Sequence, residues 1–91
     1  MLVLPAELTH DEAAACARML AQALRSEPGT QVIADASPLQ QFDSSALAVL
    51  LDCRREALAN GKSFAVSGLS PRLRELASVY GVSELLAPAS A

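Results

Sequence analysis

An acid and two adjacent hydroxyls directly precede one of the most apolar runs of the chain, in the stretch FDSSALAVLL over residues 42–51. Asp43, Ser44 and Ser45 are residues of the kind that cap a helix, because their side-chain oxygens accept hydrogen bonds from free first-turn N–H groups. The helix dipole would also stabilise a phosphoryl group on Ser44, although Asp43 would repel it. The stretch predicts an exposed helix start that serves as a docking surface, and the capping role alone is the simpler alternative.

Other residue types that carry chemistry are sparse and poorly spaced for catalysis. The single histidine, His10, is predicted to lie in a loop before the first helix, with no sequence sign of a nucleophile or a carboxylate partner. The four glycines are scattered and form no phosphate loop. The acids show no spacing typical of metal ligands, including Asp11, Glu12, Asp35 and Asp43. We therefore expect neither an enzyme nor a bound metal or cofactor.

Length and composition predict a single packed domain over residues 1–91, with a frayed end at about 88–91. The chain has 52% hydrophobic residues, a net charge of -3 and no basic cluster, which excludes a nucleic-acid surface. Its apolar runs are too short to span a bilayer and its start lacks the features of a signal peptide, so a cytoplasmic location is expected. Cys16 and Cys53 are predicted to be buried as small apolar side chains.

Strand and helix patterns alternate along the chain, which predicts an α/β fold with a mostly parallel sheet covered by helices. An opening strand is closed by Pro5, and residues 82–91 are expected to add a last short strand or turn through Leu85 and Leu86. Between them we predict a helix over about 10–26, a buried central strand over 31–35, a helix over about 44–60, a strand over 63–68 and a helix from Ser70 with Pro71 first. The apolar residues 32–34 of the central strand are consecutive and are expected to be buried together.

The helix over 44–60 is apolar around more than half of its circumference. Its sheet-facing side is predicted to carry Ala46, Leu50, Cys53 and Ala57. The opposite side carries Ser44, Ala48, Leu51, Arg55 and Leu58. Two interpretations of that opposite side remain open: it contacts a partner, or its leucines pack beneath a neighbouring helix.

The segment around this helix start resembles a known family. The runs DASPLQQFDSSALAVLL and NGKSFAVSGLSPRLRELASVYGVSELL are similar to STAS domains, which occur in sulphate-transporter tails and anti-sigma factor antagonists. The matching positions are Asp35 at a strand end, Asp43 with Ser44 and Ser45 eight residues later, and Gly68-Leu69-Ser70-Pro71 before the last helix. The resemblance covers nearly the whole chain, although the initial hairpin of the family is reduced to one short strand.

The short form of the chain is most similar to the stand-alone STAS subunit of the Mla-type phospholipid ABC transporter. That resemblance implies a non-catalytic accessory protein that binds the cytoplasmic ATPase, and through it the permease, at the inner membrane without inserting into it. It also implies that Ser44, Ala48, Leu51 and Arg55 contact the ATPase.

An anti-sigma factor antagonist is the alternative that the resemblance leaves open. In those proteins the serine after the Asp is phosphorylated by a kinase that is also the anti-sigma factor, and Ser44 holds that position here. Ala46, in place of the glycine usual in those antagonists, and the short N-terminus favour the transporter interpretation.

Overall fold

Strands and helices largely alternate through residues 1–86, the part of the chain that the computed structural model describes. The strands are β1 (Leu2–Val3), β2 (Glu7–Leu8), β3 (Gln31–Asp35), β4 (Gln41–Phe42) and β5 (Ser63–Ser67). The helices are α1 (His10–Arg25), α2 (Ser45–Ala59) and α3 (Pro71–Val79), followed by a short 3-10 helix (Ser83–Leu86). This order confirms the predicted α/β class.

The described strands form two parallel sheets instead of one. The larger sheet has the order β1-β3-β5, so β3 is the central strand, as predicted. The smaller sheet pairs β2 with β4. The prediction of one opening strand was wrong in detail, because two short strands form there. The ladder of β1 with β3 ends where the Leu4 N–H donates to the Asp35 carbonyl, and after Pro5 the chain forms β2, which pairs with β4. Pro5 has no N–H to continue the first ladder.

One face of the larger sheet is the core face. The parallel register places Leu2, Val32, Ala34 and Val66 on that face, and all four are buried. Ile33 lies on the opposite face and is only half-buried, so the prediction that residues 32–34 are buried consecutively was wrong. Burial on alternate residues is typical of a strand that has one face in the core, because successive side chains point to opposite faces.

Helix α1 begins and ends where its sequence pattern predicts. Thr9 is the N-cap, and its N–H and hydroxyl both donate to Oε1 of Glu12, at 2.9 and 2.8 Å. The buried stripe of α1 contains Cys16, whose burial was predicted, together with Leu20 and Leu24. Cys16 packs in the same core as Cys53 of α2, and burial raises the pKa of both thiols, that of Cys53 to about 12. Both cysteines are free thiols.

Helices α2 and α3 also follow their sequence signals. The predicted core side of α2 is buried, including Ala46, Leu50, Cys53 and Ala57. Helix α3 has Pro71 at its first position, and the Ser70 hydroxyl accepts a hydrogen bond from the Leu73 N–H at 3.2 Å.

The last described segment takes the turn-like form of the two that were predicted. Residues 83–86 form a 3-10 helix and not a strand, with Leu86 buried and Leu85 exposed. The predicted frayed end at 88–91 lies outside the described residues. Within residues 1–86, no helix is both long enough and apolar enough to cross a bilayer.

Candidate functional site

The start of α2 is capped by Asp43 and not by Ser44. Oδ1 of Asp43 accepts a hydrogen bond from the Ser45 N–H at 2.8 Å, and its carbonyl accepts one from the Ala46 N–H at 3.0 Å. Ser44 already has helical backbone angles, φ -62° and ψ -17°. Asp43 thus takes the capping role that the sequence left open between the two residues.

Asp43 also contacts the start of α1. Its Oδ2 accepts a hydrogen bond from the backbone N–H of His10, at 3.0 Å. His10 is the exposed first residue of α1, at the start of the helix predicted over about 10–26 and not in a loop before it. Hydrogen bonds from the backbone of Ser45 first, and of His10 second, lower the pKa of the Asp43 carboxyl, which therefore stays ionised at neutral pH.

The capping by Asp43 leaves the Ser44 side chain at the surface. Ser44 is exposed, whereas Ser45 is half-buried. Among residues 1–86 the Ser44 hydroxyl has no hydrogen-bond partner that would fix it as a cap. An exposed hydroxyl in the first turn of a helix is available to a partner or to a modifying enzyme.

Ser44 lies at one wall of a groove of about 530 Å³ between the start of α2 and the outer side of α3. Phe42, Asp43 and Ser44 form one wall of it. The other wall belongs to α3 and its C-cap, with Arg72, Glu75, Leu76, Val79 and Tyr80. The guanidinium of Arg72 lies 4.9 Å from the centre of the Phe42 ring, a cation–π contact that joins the two walls.

The α3 wall is an apolar surface that the sequence analysis missed. Val79 is 77% exposed and Tyr80 is 59% exposed. The helical repeat contains the signal: Val79 is two residues, or about 200°, from the buried Ala77, which directs it away from the core. Exposed large apolar side chains that flank a groove are typical of contact surfaces between proteins.

The predicted outer side of α2 runs along the helix from Ser44 and is largely exposed, with one correction. Ser44, Leu51 and Leu58 are seven residues apart and lie along one line of the helix. Leu58 is 50% exposed, and Ala48 and Arg55 are also exposed. Leu51, however, is half-buried and packs against the core. For this residue the alternative interpretation, packing within the protein, is therefore partly correct. Arg55 donates a hydrogen bond to Asp52 at 3.1 Å within its own helix.

Asp35, the other acid of the family motif, has a different position. It ends β3, and its Oδ1 accepts hydrogen bonds from the Ser37 N–H at 3.0 Å and the Ser67 hydroxyl at 3.5 Å. It does not line the groove beside Ser44. Its contacts join the loops that follow β3 and β5, where Gly68 approaches Ser37 closely.

Within residues 1–86 no three His, Cys, Asp or Glu side chains come together as a possible metal site. The groove beside Ser44 contains Asp43 and Glu75 as its acids, and the only histidine of the sequence, His10, contacts Asp43 through its backbone. The arrangement presents a contact surface and the exposed hydroxyl of Ser44.

Solved structures confirm the fold. A STAS domain protein from Planctomyces limnophilus, described as an anti-sigma-factor antagonist, has a TM-score of 0.78 and 22% identity. That match covers 98% of this chain and 80% of the other. The unphosphorylated anti-sigma factor antagonist SpoIIAA has a TM-score of 0.73 and 23% identity, covering 97% and 76%. At these identities the likeness shows the fold alone.

Comparison of the sequence itself gives the family. No protein of curated function matches the chain. A family model described as "Mlab, STAS domain" matches residues 1–87, nearly the whole sequence. The chain therefore belongs to the Mlab family of STAS domains.

Proposed function

We propose that this protein is a non-catalytic accessory subunit that binds the cytoplasmic ATPase of an ABC-type phospholipid transport system and supports its assembly and activity. The observation that carries the proposal is the match of residues 1–87 to the Mlab family model. Binding to the ATPase, and through it to the permease, would hold the chain at the cytoplasmic side of the inner membrane.

A docking role is supported by two sets of exposed residues, which together we call the docking face. Ser44, Val79 and Tyr80 line the groove, and Ala48, Arg55 and Leu58 lie exposed along α2. Full burial of a side chain such as Val79 or Leu58 stabilises a complex by about 1.5–3 kcal/mol before the costs of association. A few such side chains, surrounded by polar ones, are the usual energetic centre of an interface.

Ser44 is the position where a charge should be most damaging to docking. Ser44→Glu places a carboxylate beside the ionised Asp43 and at the edge of the apolar wall. We expect this variant to bind the ATPase more weakly, while Ser44→Ala binds as the wild type does. Equal binding by Ser44→Glu would show that the serine is only part of the helix start.

The proposal is tested by purifying the tagged protein from its own host and identifying its partners and the state of Ser44 by mass spectrometry. We expect recovery of an ABC ATPase and a permease, with unmodified Ser44. The same purification with Val79→Asp, which places a charge in the docking face, should lose both partners. Recovery of neither transport protein with the wild type would refute the proposal.

A second function is favoured by the exposed Ser44 hydroxyl in the first turn of α2. In that alternative the chain is an anti-sigma factor antagonist, and a partner kinase phosphorylates Ser44 to switch docking. The phosphoryl group would add about two negative charges beside Asp43 and so repel the partner. Phosphate on Ser44, together with a recovered serine kinase, would establish this alternative over the transporter role.

A further inference from the structure

We propose that Asp43 is a positioning residue, which joins the first turns of α1 and α2 and so fixes the docking face, and that the partner does not contact its carboxylate. This inference rests on the proposed docking function. It assigns to Asp43 a role different from that of its neighbour Ser44, although the two residues are adjacent in the groove.

Each carboxylate oxygen of Asp43 accepts a hydrogen bond from a different helix. Oδ1 accepts the Ser45 N–H of α2 at 2.8 Å, and Oδ2 accepts the His10 N–H of α1 at 3.0 Å. The two donors are 35 residues apart in sequence, and each is the first residue of its helix. One carboxylate therefore satisfies free N–H groups of two helix starts, both of which are positive dipole ends.

Thr9, the N-cap of α1, does not accept the hydrogen bond from the His10 N–H. The Thr9 hydroxyl donates to Glu12, as does the Thr9 N–H. The His10 N–H donates instead to Asp43, across the interface between the helices. Hydrogen bonds to an ionised acceptor are stronger than those to a neutral one, so the link is a firm one.

The link has a consequence for docking. Because Ser44 directly follows Asp43, the position of its exposed side chain depends on how α2 is held against α1. A partner that recognises Ser44 and the α3 wall together requires that this end of α2 does not shift. Loss of the bond to His10 should thus weaken docking even when α2 keeps its cap.

Asp43→Ser separates the two bonds. A serine hydroxyl can still cap α2 through the Ser45 N–H, but it is too short to reach His10 as well. The matched control is Asp35→Ser, since Asp35 also accepts a backbone N–H in a loop but does not line the groove. Amide hydrogen exchange of the free protein and affinity for the purified ATPase are then measured for wild type and both variants.

For Asp43→Ser we expect the His10 amide to exchange about tenfold faster or more, as for the loss of a hydrogen bond to a charged acceptor. The Ser45 amide should change much less, and the affinity for the ATPase should fall at least about fivefold. Asp35→Ser should change neither the His10 amide nor the affinity. If Asp43→Ser does not fold, Asp43→Asn keeps one acceptor oxygen, and the amide that exchanges faster, that of His10 or of Ser45, shows which bond is lost.

Three results would overturn the inference. Unchanged exchange at His10 would show that the bond does not hold α1. Faster exchange with unchanged affinity would show that the link does not position the docking face. Lost affinity with unchanged exchange would make Asp43 a direct contact. The exchange measurement needs no partner, so it decides the link even if wild type fails to bind the ATPase, a result that would refute the proposed function.

Discussion

At the scale of single residues, two carboxylates at the ends of strands accept backbone hydrogen bonds from the segments that follow or pack beside them. Asp35 accepts the Ser37 N–H after β3, and Asp43 accepts N–H groups at the starts of two helices. The pKa of Asp35 is lowered by hydrogen bonding from Ser37, from its side chain first and its backbone second. The pKa of Asp43 is also lowered, so the ionised form of both carboxyls favours the folded state.

The lowered pKa values predict a pH dependence of stability. A carboxyl whose pKa is depressed by folding contributes its full stabilisation above the ordinary value of 3.8 and loses it as the pH falls through the lower folded value. Asp43→Asn should therefore be less stable than wild type at pH 7, and the difference should shrink as the pH falls well below 3.8. Urea unfolding at a series of pH values measures this difference, and a constant difference would contradict the assignment.

Gly68 is a residue whose replacement should be costly for two separate reasons. Its φ is +70°, and an added Cβ would lie 2.7 Å from the Cβ of Ser37. Left-handed backbone strain and overpacking together predict a loss of about 2–4 kcal/mol in unfolding free energy for Gly68→Ala. The control is Gly61→Ala, where φ is +72° but nothing lies within 4 Å, so only the strain remains. Equal losses of unfolding free energy for the two variants, measured by chemical denaturation, would show that the added Cβ at Gly68 does not clash with Ser37.

At the scale of elements, the proposed docking face lies on the outer sides of α2 and α3, but not every residue on these sides is exposed. Leu51 packs against the core, so Leu51→Asp should lower the unfolding free energy by about 1–3 kcal/mol and is a poor test of docking. Ala48→Arg and Val79→Asp change exposed positions and should leave the melting temperature nearly unchanged. Thermal unfolding of the three variants checks this order, and destabilisation by Ala48→Arg would mean that the outer side of α2 is packed.

Helix boundaries could be predicted because their signals are local. Pro71 at the first turn of α3 and the Asn60-Gly61 end of α2 act through backbone geometry within a few residues. The two-sheet arrangement could not be predicted, because it depends on where the chain after Pro5 meets residues 40–42. The helical repeat indicates that Val79 points away from Ala77, but the α3 wall was missed because the exposure of Val79 and Tyr80 also depends on how neighbouring elements cover α3.

Of the candidate site, the exposed Ser44 and the buried side of α2 follow from sequence. Helical periodicity fixes which residues share a face, and this is enough to separate Ala46 and Leu50 from Ala48 and Arg55. Periodicity does not reveal that Asp43 reaches His10, since that bond joins residues 33 apart. Long-range hydrogen bonds of this kind depend on the packed arrangement of α1 against α2.

At the scale of the whole molecule, the two buried cysteines report on global unfolding. Cys16 and Cys53 lie in the core between α1 and α2, and the pKa of Cys53 is raised to about 12, chiefly by burial. Native protein at pH 8 should therefore react with a thiol reagent only when it opens. Saturating ATPase should slow the labelling further, because a partner that binds only the folded state stabilises it. Rapid labelling of the free native protein would contradict the burial of these thiols.

The central claim, that the docking face binds an ABC ATPase, is tested most directly by calorimetric titration of the purified chain with a purified phospholipid-transport ABC ATPase from its own host. Wild type should bind, and Val79→Asp should bind at least about tenfold more weakly, since a charge replaces an apolar contact. Met19→Asp is the matched control, because Met19 is also an exposed apolar helix residue but lies on α1, outside the groove. No binding by wild type, or equal weakening by both substitutions, would contradict the account.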